Sequence, residues 1–177
     1  MTVLQELPEA PLPPLDQRSI GVVTPYDFAL DRELWEWVPP QVSLHLTRTP
    51  YQRVPVNLTQ AELIGAPEVV VRCAHDLHTI SPEVMVYACT SGSFVFGWDG
   101  AHDQVAALSR ATGLPASSTS LAFVRACRAL SLTQVTLAAS YPQDVAGHFR
   151  AFLPAAGIEV VSMSAHDIHT AAQVGTL

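Results

Sequence analysis

There is no lysine anywhere in the 177 residues; all nine basic side chains are arginines. That absence removes Schiff-base chemistry, a pyridoxal-phosphate anchor and a phosphate-loop or kinase lysine, each of which needs a side-chain amine. Cys73, Cys89 and Cys127 form no CxxC pair and are odd in number. Neither a disulfide framework nor a zinc knuckle is indicated, and a reducing cytoplasm is the expected compartment. No apolar run approaches the ~18 residues of a transmembrane helix, and the N-terminus lacks the basic start and long apolar core of a signal peptide. With a net charge of −7 and scattered acidic residues, no basic stripe is present to track a phosphate backbone or an anionic membrane. The expected partners therefore include neither nucleic acid nor membrane. No GxGxxG follows the first strand-like run, so no dinucleotide cofactor is expected.

What is present is the composition of a compact folded protein, 49% apolar with few charges. Residues 1–18, with prolines at 8, 11, 13 and 14, read as an extended arm. Strand-like runs then begin at Ser19, Val42, Val84, Leu114, Gln134 and Ile158. Helical patterns fall between them: Leu30 to Val38, Thr59 towards Leu77 with a break at Gly65-Ala66-Pro67, Ala101 to Thr112, Ser118 to Leu130, and Asp144 to Leu153. Thr59, with Glu62 three residues on, is the expected cap of the second. Alternating strands and helices predict parallel sheets with ligands beyond the carboxyl ends of the strands. The segments to read are thus Thr24 to Asp27, Thr47 to Pro50, Cys89 to Ser93, Ser117 to Ser120, and Ser140 to Pro142.

Cys89 is the most informative of these residues, because it separates a continuous apolar run, Val84 to Ala88, from the polar, glycine-containing loop Thr90-Ser91-Gly92-Ser93. Loop amides and the two hydroxyls can hold a carboxylate, and nearby N–H groups favour a thiolate. The plain alternative is a small core cysteine.

The segment Tyr87-Ala-Cys-Thr-Ser-Gly-Ser-Phe94 resembles the Cys-Thr-Ser-Gly-Ser stretch of maleate cis-trans isomerases. Ala111-Thr-Gly-Leu-Pro115, Arg128-Ala-Leu130, Val135-Thr-Leu-Ala138, Tyr141, Asp144-Val145 and Ala151-Phe-Leu153 are similar to arylmalonate decarboxylase. Both belong to the cofactor-independent aspartate/glutamate racemase superfamily, and the likeness runs through nearly the whole chain. It implies an α/β fold of two flavodoxin-like lobes with parallel four-stranded sheets. Residues 19–118 would form the first lobe and residues 119–177 a partial second one, incomplete in this sequence and expected to expose an apolar face and an unpaired edge. A longer polypeptide carrying a second half-site cysteine is the corresponding expectation.

The resemblance also implies roles: Cys89 as the nucleophile, Thr90, Ser91 and Tyr141 as ligands of substrate carboxylate oxygens, and Pro25 at the pocket's border. Arylmalonate decarboxylases have glycine at the first cysteine position, so Cys89 points to the isomerase or racemase arm. Where maleate isomerases carry asparagine after the first strand, this chain reads Pro25-Tyr26-Asp27-Phe28. The expected activity is a cofactor-independent isomerase of a small (di)carboxylic acid. Its rivals are a racemase or decarboxylase working through an enediolate, and a non-catalytic carboxylate-binding or assembly module. A small carboxylate is the expected partner, with homo-oligomerisation open.

Other signals read as structure. His75-Asp76-Leu77-His78 and His166-Asp167-Ile168-His169 have no completing ligand at a metal-site spacing and are taken as solvated helix faces, so no metal is expected. Cys73 and Cys127 read as core, and Trp35 and Trp37 as packing residues. Arg48 and Arg53 are candidates for a second substrate carboxylate or for plain solvation.

Overall fold

The computed structural model describes residues 17–29, 31–170 and 173. The proline-rich arm lies outside the described residues except for its last two. Arg18 already belongs to the first strand, where Nε and Nη2 donate to the Glu83 carboxylate at 3.0 and 2.7 Å.

Among the described residues, β1 (Arg18–Thr24), β2 (Val42–Arg48), β3 (Val84–Tyr87) and β4 (Ala116–Ser118) form one parallel sheet in the order β2-β1-β3-β4. β5 (Gln134–Ala139) and β6 (Glu159–Ala165) pair in parallel as a second sheet, with a register shift at Val135/Thr136. This is the expected α/β arrangement, four strands in one sheet and two in the other. The chain leaves β1 towards β2 and returns to β3 on the opposite side of β1. The carboxyl ends of β1 and β3 are consequently where connections diverge and a crevice opens.

The helices are α1 (Asp31–Trp37), α2 (Leu58–Gly65), α3 (Pro67–His75), α4 (Thr90–Phe94), α5 (Gly97–Thr112), α6 (Thr119–Ala129) and α7 (Gln143–Phe152). The break between α2 and α3 falls where the sequence places it, with Pro67 in the first turn that tolerates a missing N–H. The cap does not: Asn57, not Thr59, accepts from the Gln60 N–H at 2.9 Å, an interaction that contributes about 1 kcal/mol. α5 starts at Gly97 rather than Ala101 and ends, as expected, on Gly113 at φ +70. In α1 the tryptophan expectation fails. Leu34 and Val38 form the partly buried i, i+4 stripe, while Trp35 and Trp37 remain 46% and 81% exposed.

Each sheet has its own core. Val23, Met85 and Tyr87 pack against Val70, Cys73, Leu77 and Leu108 from α3, the turn after it, and α5. Leu137 and Val160 pack against Val124 and Cys127 of α6 and Val145 and Phe152 of α7. Cys73 and Cys127 are core residues, as read from the sequence. The opposite face of the second sheet is less apolar than expected. Gln134 donates to Glu159 at 2.7 Å and Ser162 to Thr136 at 3.0 Å, leaving Val161 as its large exposed aliphatic group.

His166 to His169 is not a helix face. It is an irregular strap, with Asp167 at φ +58, whose N–H groups at 166, 167 and 168 donate to the carbonyls of Ala139, Tyr141 and Ser140, and whose His169 carbonyl accepts from Val56 N–H. Among the described residues no helix is long and apolar enough to cross a membrane, and no group of three or more metal-ligating side chains occurs.

Candidate active site

The loop after β1 is fixed from the neighbouring strand. Thr24 Oγ1 donates to the Thr47 carbonyl at 3.0 Å, and Thr49 Oγ1 accepts from the Tyr26 N–H at 3.1 Å. Arg48 Nη1 donates to the carbonyls of Tyr26 and Phe28 at 3.0 and 2.7 Å, with its guanidinium 5.8 Å above the Phe28 ring. Arg48 is thus neither a substrate clamp nor simply solvated; it shapes the loop. Arg53 is exposed and does not line the cavity described below.

After β3 the chain turns at Cys89, the residue preceding α4, with φ −140 and ψ 118. The stretch expected as a loop is therefore a short helix. Its position depends on two glycines. A Cβ on Gly92 would strike the Tyr87 hydroxyl, and one on Gly65 would strike the Gly92 carbonyl oxygen. Through that close approach the buried Gln104 side-chain amide donates to the carbonyls of both Gly65 and Gly92. Tyr87, fully buried below, donates to the Ile64 carbonyl at 2.8 Å. On the other side, Ser93 Oγ accepts from the Ser120 N–H at 3.0 Å and Ser120 Oγ donates to the Ser93 carbonyl at 2.8 Å. α4 is thus tied to α2, α5 and α6 at once.

Between these walls lies a cavity of about 200 Å³. Cys89, Thr90, Ser91, Tyr141 and Pro25, the five residues nominated from the sequence, all line it. Tyr141 arrives from beyond β5, where Asp167 N–H donates to its carbonyl at 3.2 Å and Phe94 meets its ring edge-on with centroids 6.5 Å apart. Sequence reasoning did not nominate Asp27 as a lining residue, although its loop was among those to read, nor Gln60, whose place depends on tertiary contact alone. Both face the same cavity. Gln60 Nε2 donates to Asp27 Oδ2 at 3.0 Å and to the Tyr26 hydroxyl at 2.8 Å.

The Cys89 thiol, only 6% exposed, lies 3.8 Å from Ser91 Oγ. Burial pushes its pKa above the ordinary thiol value. The neighbouring Gly92 N–H and the Tyr87 and Ser91 hydroxyls pull the other way without prevailing, and the Asp27 charge adds to the rise. The expectation of a resting thiolate is corrected accordingly: desolvation of the anion outweighs its donors. Tyr141 is held up to about 12 by desolvation, with the Cys89 charge adding and a Thr90 hydrogen bond opposing. The site therefore presents a neutral thiol, hydroxyl donors and one acid side chain, chemistry suited to addition to an activated double bond or to proton transfer at a carbon acid.

Residues 57–177 match the family model for arylmalonate decarboxylase. Among solved structures, a cysteine-to-serine mutant of the Nocardia farcinica maleate cis-trans isomerase, with a covalently bound succinylcysteine intermediate, is 26% identical at a TM-score of 0.79. The match covers 90% of this chain and 68% of that one. A doubly substituted, liganded arylmalonate decarboxylase is 25% identical at a TM-score of 0.77, covering 87% and 64%. The Pseudomonas putida maleate isomerase with maleate shares the fold at 20% identity and a TM-score of 0.75, covering 86% and 64%. The chain spans about two thirds of the length of these structures. No curated protein matches it.

Proposed function

The chain belongs to the arylmalonate decarboxylase family, within the aspartate/glutamate racemase-like superfamily, and on that premise we propose that it is a cofactor-independent isomerase of a small carboxylic acid with Cys89 as its nucleophile. The observation that carries this reading is the convergence of the Cys89 sulfur with Thr90, Ser91 and Tyr141 on one cavity. In the proposed reaction the Cys89 thiol releases its proton to water and the sulfur adds to one carbon of a cis double bond. Electron density moves onto the adjacent carboxylate, held by Thr90, Ser91 and Tyr141. Rotation about the new single bond and expulsion of the sulfur yield the trans acid. The succinylcysteine in the Nocardia isomerase structure is the adduct such an addition to maleate leaves once the adjacent carbon has taken up a proton.

Incubation with maleate and with its monoamide, followed by NMR and intact-mass measurement, tests the reading. Turnover of at least one of them and a protein adduct are expected, and both should disappear in Cys89→Ala. Full activity in that variant removes Cys89 from the mechanism.

A second reading is favoured by the raised Cys89 pKa, because a neutral thiol is a proton donor for an enediolate formed by decarboxylation or racemisation. Running the reaction in D2O separates the two: deuterium at the α-carbon belongs to proton transfer, and isomerisation by sulfur addition does not require it.

A further inference from the structure

Asp27 gives the cavity an asymmetry that a symmetric dicarboxylate does not match. The segments after β3 and β5 contribute Cys89, Thr90, Ser91 and Tyr141, which present hydroxyls and a thiol. The loop after β1 contributes Asp27, whose carboxylate is positioned by Gln60 at 3.0 Å, itself anchored on the Tyr26 hydroxyl and almost fully buried. Among the described residues that line the cavity none is basic. Arg48, which holds the loop carrying Asp27, is engaged with the carbonyls of Tyr26 and Phe28 and does not line the cavity. The Asp27 charge reaches the reacting groups, since it adds to the rise of both the Cys89 thiol and the Tyr141 phenol.

A second carboxylate placed against Asp27 in a cavity of about 200 Å³ would face a like charge with no compensating cation. A hydrogen-bond donor in the same place would meet a fixed acceptor, and buried recognition of this kind discriminates strongly, because the unmatched partner is left unpaired or repelled. We propose that Asp27 sets the substrate class: an acid with one carboxylate, held on the Cys89 side, and at its other end a donor group such as an amide, hydroxyl or ammonium. The inference rests on the active-site reading above only in placing the substrate in this cavity.

Calorimetric binding of succinate and of its monoamide, succinamate, to the full chain is the test. Both ligands lack the double bond, so Cys89 chemistry does not enter the measurement. The expected result is a preference for succinamate of at least about tenfold, lost or reversed in Asp27→Asn, which keeps an acceptor for Gln60 while removing the charge. Asp27→Ser is the second variant should the first not fold. Equal or tighter binding of succinate, an unchanged ratio in the variants, or no binding of either ligand overturns the proposal. Loss of the Cys89 adduct with this selectivity intact overturns the isomerase reading instead, so the two failures are distinguishable.

Discussion

Cys89 experiences opposing influences within a few ångströms. The Gly92 N–H and two hydroxyls favour its anion, while enclosure and the Asp27 charge favour the protonated form, and the second group prevails. Reactivity in the empty protein should follow that balance. Iodoacetamide labelling of Cys89, followed by peptide mass spectrometry, is expected to be slow at neutral pH and to keep rising beyond pH 9, because the thiolate is the reacting form and burial holds its pKa above the ordinary thiol value. A plateau reached below pH 8 would contradict the raised pKa. The position of this residue at the end of a buried strand was legible because a continuous apolar run leads up to Cys89. Sequence reasoning could not weigh desolvation against donors, since Tyr87 and Asp27 reach the thiol's surroundings only through the fold.

At the scale of the element, α4 is where the sequence was least legible. Thr90-Ser91-Gly92-Ser93 has the composition of a loop, and a helix of five residues has no intrinsic stability of its own. Its helicity comes from packing: the Gly65–Gly92 approach, the Gln104 clasp and the Ser93–Ser120 pair. Gly65→Ala is therefore expected to destabilise the protein by about 1–3 kcal/mol in urea denaturation, because the added methyl meets backbone rather than a flexible side chain. A loss below about 0.5 kcal/mol, the range of an ordinary surface change, would show that the two helices can separate freely. The longer elements were legible for the converse reason. β5 over Gln134–Ala139 and the arrest of α5 at Gly113 are signalled by local pattern and a left-handed cap. The exposed Trp35 and Trp37 mark the limit of such reasoning, since spacing alone does not tell which stripe of a short helix meets the core.

For the molecule as a whole, several buried acids share one direction of shift. Burial raises the pKa values of Cys89, Cys73, Tyr87 and Tyr141, the last to about 12. Below about pH 8 these groups are protonated in both folded and unfolded chains and leave stability unchanged. Above it the unfolded chain releases protons that the folded one retains, so it binds fewer and the folded state loses stability as pH rises. Melting temperature should thus fall progressively from about pH 8 towards 12, as thermal denaturation followed by circular dichroism would record. A melting temperature flat across that interval would remove the shared shift.

The strap at residues 166–169 has a consequence for assembly. It joins the Tyr141 side of the cavity to Val56, more than a hundred positions earlier in the chain, so this wall depends on contacts of long sequence separation. Docking of the strap therefore ties the Tyr141 and Val56 walls of the cavity to each other, and closing that seam belongs to the late, long-range part of assembly.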